Sequence, residues 1–303
     1  MRRIATAMAT GLGLLFVAVF VLFAAVEALP GNPAVQALGA NADPVRVAEL
    51  SRQLGLDRPL VVRFGDWFGG LLTGDLGRSA VTRLPVGPLI GEAAVRSLVL
   101  GGAALAVVVL VAVPVGVLAG SRPGTLPDRG TSAAALVVAS VPEFVLASVL
   151  IAVFAFGLRW FPPVSILSAG GPATPAKLVL PVVTLAAVAG AYAVRLIRAA
   201  VAEAAGAAHV EAARLAGVGE TAVLVRHLLP SVRGQIAQTL ALLLPYLAGG
   251  ALVVETVFGY PGLGGLVAVA VSARDAVLLS GTGAVLATVS ITGFTVANLV
   301  GQR

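Results

Sequence analysis

The chain has 303 residues, of which 58% are hydrophobic and 11% charged, with a mean hydropathy of +1.01. Soluble globular domains carry about 25% charged residues, so this composition excludes an ordinary soluble domain and points to a membrane protein. The net charge of +6 comes almost entirely from Arg scattered at the ends of apolar segments, not gathered into a basic stripe with aromatics, which excludes a nucleic-acid-binding role.

A bilayer core about 30 Å thick takes roughly 20 apolar residues per helix. Six segments meet this length: about 9–29, 94–120, 131–157, 177–199, 234–258 and 278–300. The expected fold class is therefore an all-α membrane protein with six transmembrane helices. Met1-Arg2-Arg3 and Val26-Glu27-Ala28 give the first segment some features of a signal peptide. Its apolar run exceeds the roughly 7–15 residues of such peptides, so it is read as a retained span. With the N-terminus inside, the cytoplasmic set is Arg2, Arg3, Arg122, Arg129, Arg195, Arg198, Arg214, Arg226, Arg233 and Arg303, while the short outer loops hold Arg159, Lys177 and Arg274. The positive-inside rule then places both termini in the cytoplasm.

The stretch from about 30 to 93 is nearly balanced in sign and carries Phe64, Trp67 and Phe68. It is expected to form either a small extracytoplasmic helical cap or a packed loop. Spans two to five contain Pro114, Pro142, Pro181 and Pro245, which predict kinks. Gly101-Gly102, Gly116 with Gly120, and Gly249-Gly250 predict close helix contacts.

Between the fourth and fifth spans, Glu203 to Leu215 is a run of helix formers interrupted by Gly206. Gly217 and Gly219 permit a turn, and Thr221 to Leu229 predicts a second short helix that Pro230 stops. Glu211 and Arg214 share one face, and Ala212 and Ala213 give a small surface that another backbone can approach. The spacing is Glu211-Ala212-Ala213, three residues, Gly217, nine residues, His227, one residue, Leu229-Pro230. This resembles the cytoplasmic EAA loop of bacterial ABC importer permeases. The resemblance implies that Glu211, Ala212, Ala213, Gly217, His227, Leu229 and Pro230 dock onto a separate ATP-hydrolysing subunit.

Further motifs are similar to the dipeptide, oligopeptide and nickel branch of that superfamily. They include Leu29-Pro30-Gly31-Asn32-Pro33-Ala34, Leu54-Gly55-Leu56-Asp57-Arg58-Pro59-Leu60 and Gly74-Asp75-Leu76-Gly77-Arg78-Ser79. Pro142-Glu143-Phe144, Leu180-Pro181, Arg195 with Arg198, Glu255-Thr256-Val257-Phe258, Tyr260-Pro261-Gly262-Leu263-Gly264 and Ala273-Arg274-Asp275 match as well. The resemblance implies a type I importer permease fold in the bacterial cytoplasmic (inner) membrane, multi-pass. It divides the chain at 1–93, a first helix with an extracytoplasmic segment, and 94–303, a five-helix core with the EAA coupling loop at about 200–232. The implied partners are a second homologous permease subunit, one or two ATPase subunits, an extracytoplasmic solute-binding protein and the lipid bilayer. The implied cargo is peptide, with nickel or another small solute as the alternative. Two features depart from the family pattern: His227 replaces an aliphatic residue, and the chain ends at Gly301-Gln302-Arg303 where relatives carry a longer polar tail.

Glu27, Glu143 and Glu255 fall within or beside apolar spans. An acidic group at a span centre costs ~2.5–3.5 kcal/mol on translocon scales, as calibrated for Asp. Glu143 and Glu255 are candidate pathway residues, with helix packing as the equal alternative; Glu27 is read as interfacial or structural. No Cys is present, and His209 and His227 stand 18 residues apart, so no metal site is expected. Gly259 to Gly265 is read as a turn, and Lys177 follows Ala176, so there is no Walker A loop. No catalytic residue or cofactor is expected, and ATP hydrolysis falls to another subunit. The runner-up function is a self-sufficient secondary transporter with Glu143 and Glu255 carrying protons, although no inverted repeat is evident. An intramembrane enzyme is a third reading, disfavoured by the lack of a Gly-x-Ser-x-Gly elbow and of any His inside a span.

Overall fold

Apolar runs with few helix breakers become long helices, and the computed structural model is made of little else. It describes residues 2–28, 32–39, 41–166 and 174–301. Among these there is no β-strand, only an isolated bridge between Arg78 and Pro85. In chain order the helices are α1 (Arg2–Ala28), α2 (Pro33–Leu38), α3 (Pro44–Gln53), α4 (Leu60–Thr73), α5 (Val86–Ser121) and α6 (Leu126–Ser140). They continue with α7 (Glu143–Gly157), α8 (Pro175–Ala205), α9 (Ala208–Leu215), α10 (Glu220–Phe258), α11 (Leu263–Ala273) and α12 (Ala276–Gly301). Leu29-Pro30-Gly31 and Gln302-Arg303 lie outside the described residues.

Among the described residues, four helices, α5, α8, α10 and α12, are long and apolar enough to cross a bilayer, and α6 with α7 makes five if that bent pair counts as one span. The apolar part of α1, Thr10–Ala25, is shorter. Only part of the expected set of six spans is therefore established by length.

The four span prolines behave differently from one another. Pro142 separates α6 from α7 by a bend of 100°. Val141 before it is extended, at φ −86° and ψ 125°, as the clash with a following proline ring demands. The expected single span at 131–157 is thus two helices. By contrast α5, α8 and α10 run through Pro114, Pro181 and Pro245 as single helices. Before Pro114 the backbone widens into a π-helical turn over Val108–Ala112, with the Val113 amide bonded to the Val108 carbonyl. A bond reaching five residues back gives the proline ring room that a tight α-turn denies.

The chain forms two compact units. The first comprises residues 1–98 and 259–291. Phe16, Phe20 and Phe23 recur at helical spacing on α1 and meet Phe64 and Phe68 of α4 edge-on, at centroid distances of 5.0 Å for Phe16–Phe68 and Phe20–Phe64 and 5.6 Å for Phe23–Phe64. Such pairs add to the area they bury. Phe64 and Trp67 are buried and Phe68 packs against them in part, so these aromatics of the 30–93 stretch belong to the core of their unit. The next position along that face of α1 is Glu27, which takes both terminal nitrogens of Arg63, one of them at 2.8 Å. The Arg63 guanidinium lies 5.9 Å from the Phe23 ring centroid. Glu27 is therefore structural. Elsewhere in this unit, buried Ser79 donates to buried Asp275, whose other oxygen caps α12 by accepting the Leu278 amide at 3.0 Å.

The second unit comprises residues 99–258 and 292–303. Its axis is α8, whose Leu185, Ala189, Ala193, Ile197 and Val201 are buried. Gly116 and Gly120 of α5 let that helix lie directly on α8: a Cβ at Gly120 would stand 2.6 Å from the Arg198 carbonyl oxygen and 2.8 Å from Val201 Cβ. Close packing through small residues is what apolar surroundings favour between helices. Asp128 at the start of α6 then grips Arg198 of α8 with both oxygens, at 2.7 and 2.6 Å, and also accepts the Gly124 amide at 2.8 Å.

Candidate functional site

The segment between α8 and α10 is built from small residues and two glycine interruptions. Gly206 does more than interrupt: it ends α8, and α9 begins afresh at Ala208. α9 closes on Gly217, which has φ +77°. The Val218 amide bonds back to the Ala213 carbonyl at 3.1 Å and the Gly217 amide to the Arg214 carbonyl at 3.0 Å, the paired bonds of a Schellman cap. A left-handed residue is needed there, and glycine adopts it without a Cβ penalty.

Val210 is fully buried and Ala213 is 9% exposed. They seat α9 on its own unit, so Ala213 is not part of a free surface. The exposed side carries Glu211, Ala212, Leu215, Ala216 and Gly217. Leu215 is 83% exposed, a large apolar side chain that none of the described residues covers. Nothing in the spacing singled it out; the signal was its place four residues after Glu211, on the face opposite Val210. Arg214 does not pair with Glu211. Its Nε donates to Glu220 at 3.1 Å and its Nη1 to the Ala205 carbonyl at 3.2 Å, which ties together the end of α8, α9 and the start of α10.

Pro230 does not stop a helix. α10 starts at Glu220, passes through a π-helical turn at Leu224–Leu228, and continues through Leu229 and Pro230 to Phe258. The Leu229 amide bonds to the Leu224 carbonyl, so the turn just before the proline is already wide. His227 and Leu229 are half-buried and Pro230 is exposed.

The two candidate pathway carboxylates differ in environment. Glu255 is 0% exposed, sealed inside its unit. Glu143 stands in the first turn of α7, directly after the break at Pro142, and is half-buried. It accepts the Tyr246 hydroxyl at 3.1 Å. Tyr246 stacks on Tyr192, with centroids 6.0 Å apart and planes 1° from parallel. Gly250, one turn beyond Tyr246, leaves room for the carboxylate: a Cβ there would stand 2.6 Å from Oε1.

Among the described residues there is no cluster of three or more His, Cys, Asp or Glu able to hold a metal ion. The geometry offers an exposed short helix on a rigid mount, a broken helix and a half-buried acid at the break.

Comparison with known proteins agrees. Residues 112–303 match the family described as "Binding-protein-dependent transport system inner membrane component", and residues 1–91 match its N-terminal counterpart. A putative peptide transport system permease protein of Brucella abortus is 32% identical over 276 residues, covering 90% of this chain and 88% of the relative. A glutathione transport system permease protein of Escherichia coli is 33% identical, covering 86% and 83%. A probable peptide ABC transporter permease protein of Sinorhizobium fredii is 32% identical, covering 84% and 82%. The chain belongs to the family of inner-membrane components of binding-protein-dependent transport systems.

Proposed function

We propose that this chain is the membrane-spanning subunit of an ATP-driven importer of peptides, non-enzymatic itself, that works with separate ATPase subunits, a second permease and an extracytoplasmic binding protein. The peptide class is supported by what the relatives are named for. The observation that carries the coupling role is α9: a short helix, stapled by Arg214 and closed by Gly217, that presents Leu215 at 83% exposure beside Glu211 and Ala212. A large apolar side chain held out on a fixed mount is the kind of anchor that protein interfaces bury. In this reading α9 seats in a groove of the ATPase, and its motion reaches the bundle through the Ala205 and Glu220 contacts. His227, Leu229 and Pro230 then act from behind the surface, by shaping the wide turn that starts α10.

The topology that fits is six spans with both termini in the cytoplasm. α1 is the first span and the α6–α7 pair the third. Residues 30–93 are extracytoplasmic, and 94–303 form the core. Glu143 lines the path, while Glu255 serves packing. The test is reconstitution in proteoliposomes. The chain alone is expected to show neither ATP hydrolysis nor peptide uptake, with both appearing once the second permease, ATPases and loaded binding protein are added. Proton-driven uptake by the chain alone would replace this reading with a secondary transporter.

A further inference from the structure

A carboxylate in the middle of an apolar segment needs a reason to be kept there. Glu143 lies near the centre of the apolar run 131–157, and Tyr246 near the centre of 234–258. Among the described residues no Lys, Arg or His forms an ion pair with Glu143; its hydrogen bond is from a neutral tyrosine hydroxyl. The surroundings are nonetheless shaped for it. Gly250 supplies the space, since a Cβ at that position would lie 2.6 Å from Oε1 and 3.0 Å from Oε2. Pro142 ends the preceding helix and starts a new one, so the acid stands in the first turn of α7, where the helix dipole favours a negative charge. Tyr246 is fixed by the carboxylate, and Tyr192 lies parallel to it with 41% of its surface exposed. An acid beside stacked aromatic rings is a receptor for a cation: the acid supplies charge and the rings supply their electron-rich faces. Packing alone is served equally by Gln, which has the same shape and also accepts a hydroxyl.

We propose that Glu143, Tyr246 and Tyr192 form a relay point that takes the ammonium group of the cargo during passage. This rests on the chain being a peptide-importer subunit and adds what the permease itself recognises. Peptides carry such a group at the amino terminus, and some carry a second on Lys. The site binds it transiently, by charge and ring contact, with no bond made or broken.

The experiment uses the complete importer in proteoliposomes, with its binding protein preloaded and in excess. It measures uptake and ATP hydrolysis together for radiolabelled trialanine and for N-acetyl-alanyl-lysyl-alanine. Glu143→Gln is expected to lower uptake by about tenfold, the loss of one charge contact of ~1.4 kcal/mol, while binding-protein-stimulated ATP hydrolysis stays within about twofold. Loss with trialanine alone assigns the amino terminus, and loss with both peptides assigns any ammonium. Tyr192→Leu, which removes the ring face, is expected to lower uptake about threefold, and Tyr192→Phe, which keeps that face, to lose less than the Leu variant. Uptake by Glu143→Gln equal to the parent overturns the proposal. If Glu143→Gln disturbs assembly, the Tyr192 pair decides: equal uptake by the Phe and Leu variants overturns it. A wild-type importer that hydrolyses ATP but carries neither peptide would instead refute the peptide reading.

Discussion

Gly120→Ala places a methyl group where α5 rests on α8. The new Cβ would stand 2.6 Å from the Arg198 carbonyl oxygen and 2.8 Å from Val201 Cβ. Restoring an ordinary 3.4 Å contact to the oxygen requires the two helices to part by about 0.8 Å. The obstructing atom is backbone, so no rotamer change relieves it. Separation there also strains the Asp128–Arg198 pair, whose two contacts at 2.7 and 2.6 Å hang from the same turn of α8. Overpacking of this kind costs about 1–3 kcal/mol, and a rigid obstruction argues for the upper half. Gly102→Ala is the control: it lies on the same helix with nothing within 4 Å of its would-be Cβ. There the better helix propensity of Ala should stabilise by up to about 1 kcal/mol. The assay is detergent-induced unfolding of the purified chain, comparing midpoints at equal slope. The pair of variants should move in opposite directions. If Gly120→Ala were as stable as Gly102→Ala, α5 and α8 would not be in the contact described.

Glu27→Gln and Arg63→Leu should each destabilise the chain by about 1–3 kcal/mol, because each leaves the other partner of a charged hydrogen-bonded pair unmatched at 13–20% exposure. The double variant should cost less than the sum of the two, and a double-mutant cycle with no coupling energy would dissolve the pair. Pro142→Ala frees Val141 from its extended conformation and restores an amide donor, so α6 and α7 should straighten. Spin labels on their far ends should then report a longer distance, and an unchanged distance would mean that packing rather than proline sets the 100° bend.

Much of the fold was legible because it depends on local chemistry. The apolar runs became the long helices, and Gly217 took the left-handed turn that its place after a helix requires. Gly116 and Gly120 made the close contact expected of small residues. What the chain hid depends on partners distant in sequence. Nothing local tells that Arg63 reaches back to Glu27, or that Arg214 turns to Glu220 and Ala205 in preference to the nearer Glu211. Proline was misread at Pro230, where a stop was expected, and read correctly as a bend at Pro142, because its effect depends on the turn before it. A π-helical turn carries α10 through Pro230, whereas extended Val141 turns Pro142 into a break. Ala213 and Leu215 exchanged places for a similar reason, since triplet spacing says which residues recur but not which side of α9 meets the unit beneath it.

The account depends most on α9 being the surface that holds the ATPase. Leu215→Asp replaces an 83%-exposed apolar side chain with a charge and leaves the mount untouched. Burying a leucine is worth about 1.5–3 kcal/mol, so its loss together with a desolvated carboxylate should weaken association more than tenfold. Gly217→Val attacks the mount instead, by forcing a β-branched residue to φ +77°. The measurement is the amount of ATPase that co-purifies with each variant at equal membrane expression of the permease. The account predicts a tenfold or larger loss for Leu215→Asp and a clear loss for Gly217→Val. Undiminished co-purification in both would place the docking surface elsewhere and contradict the central claim.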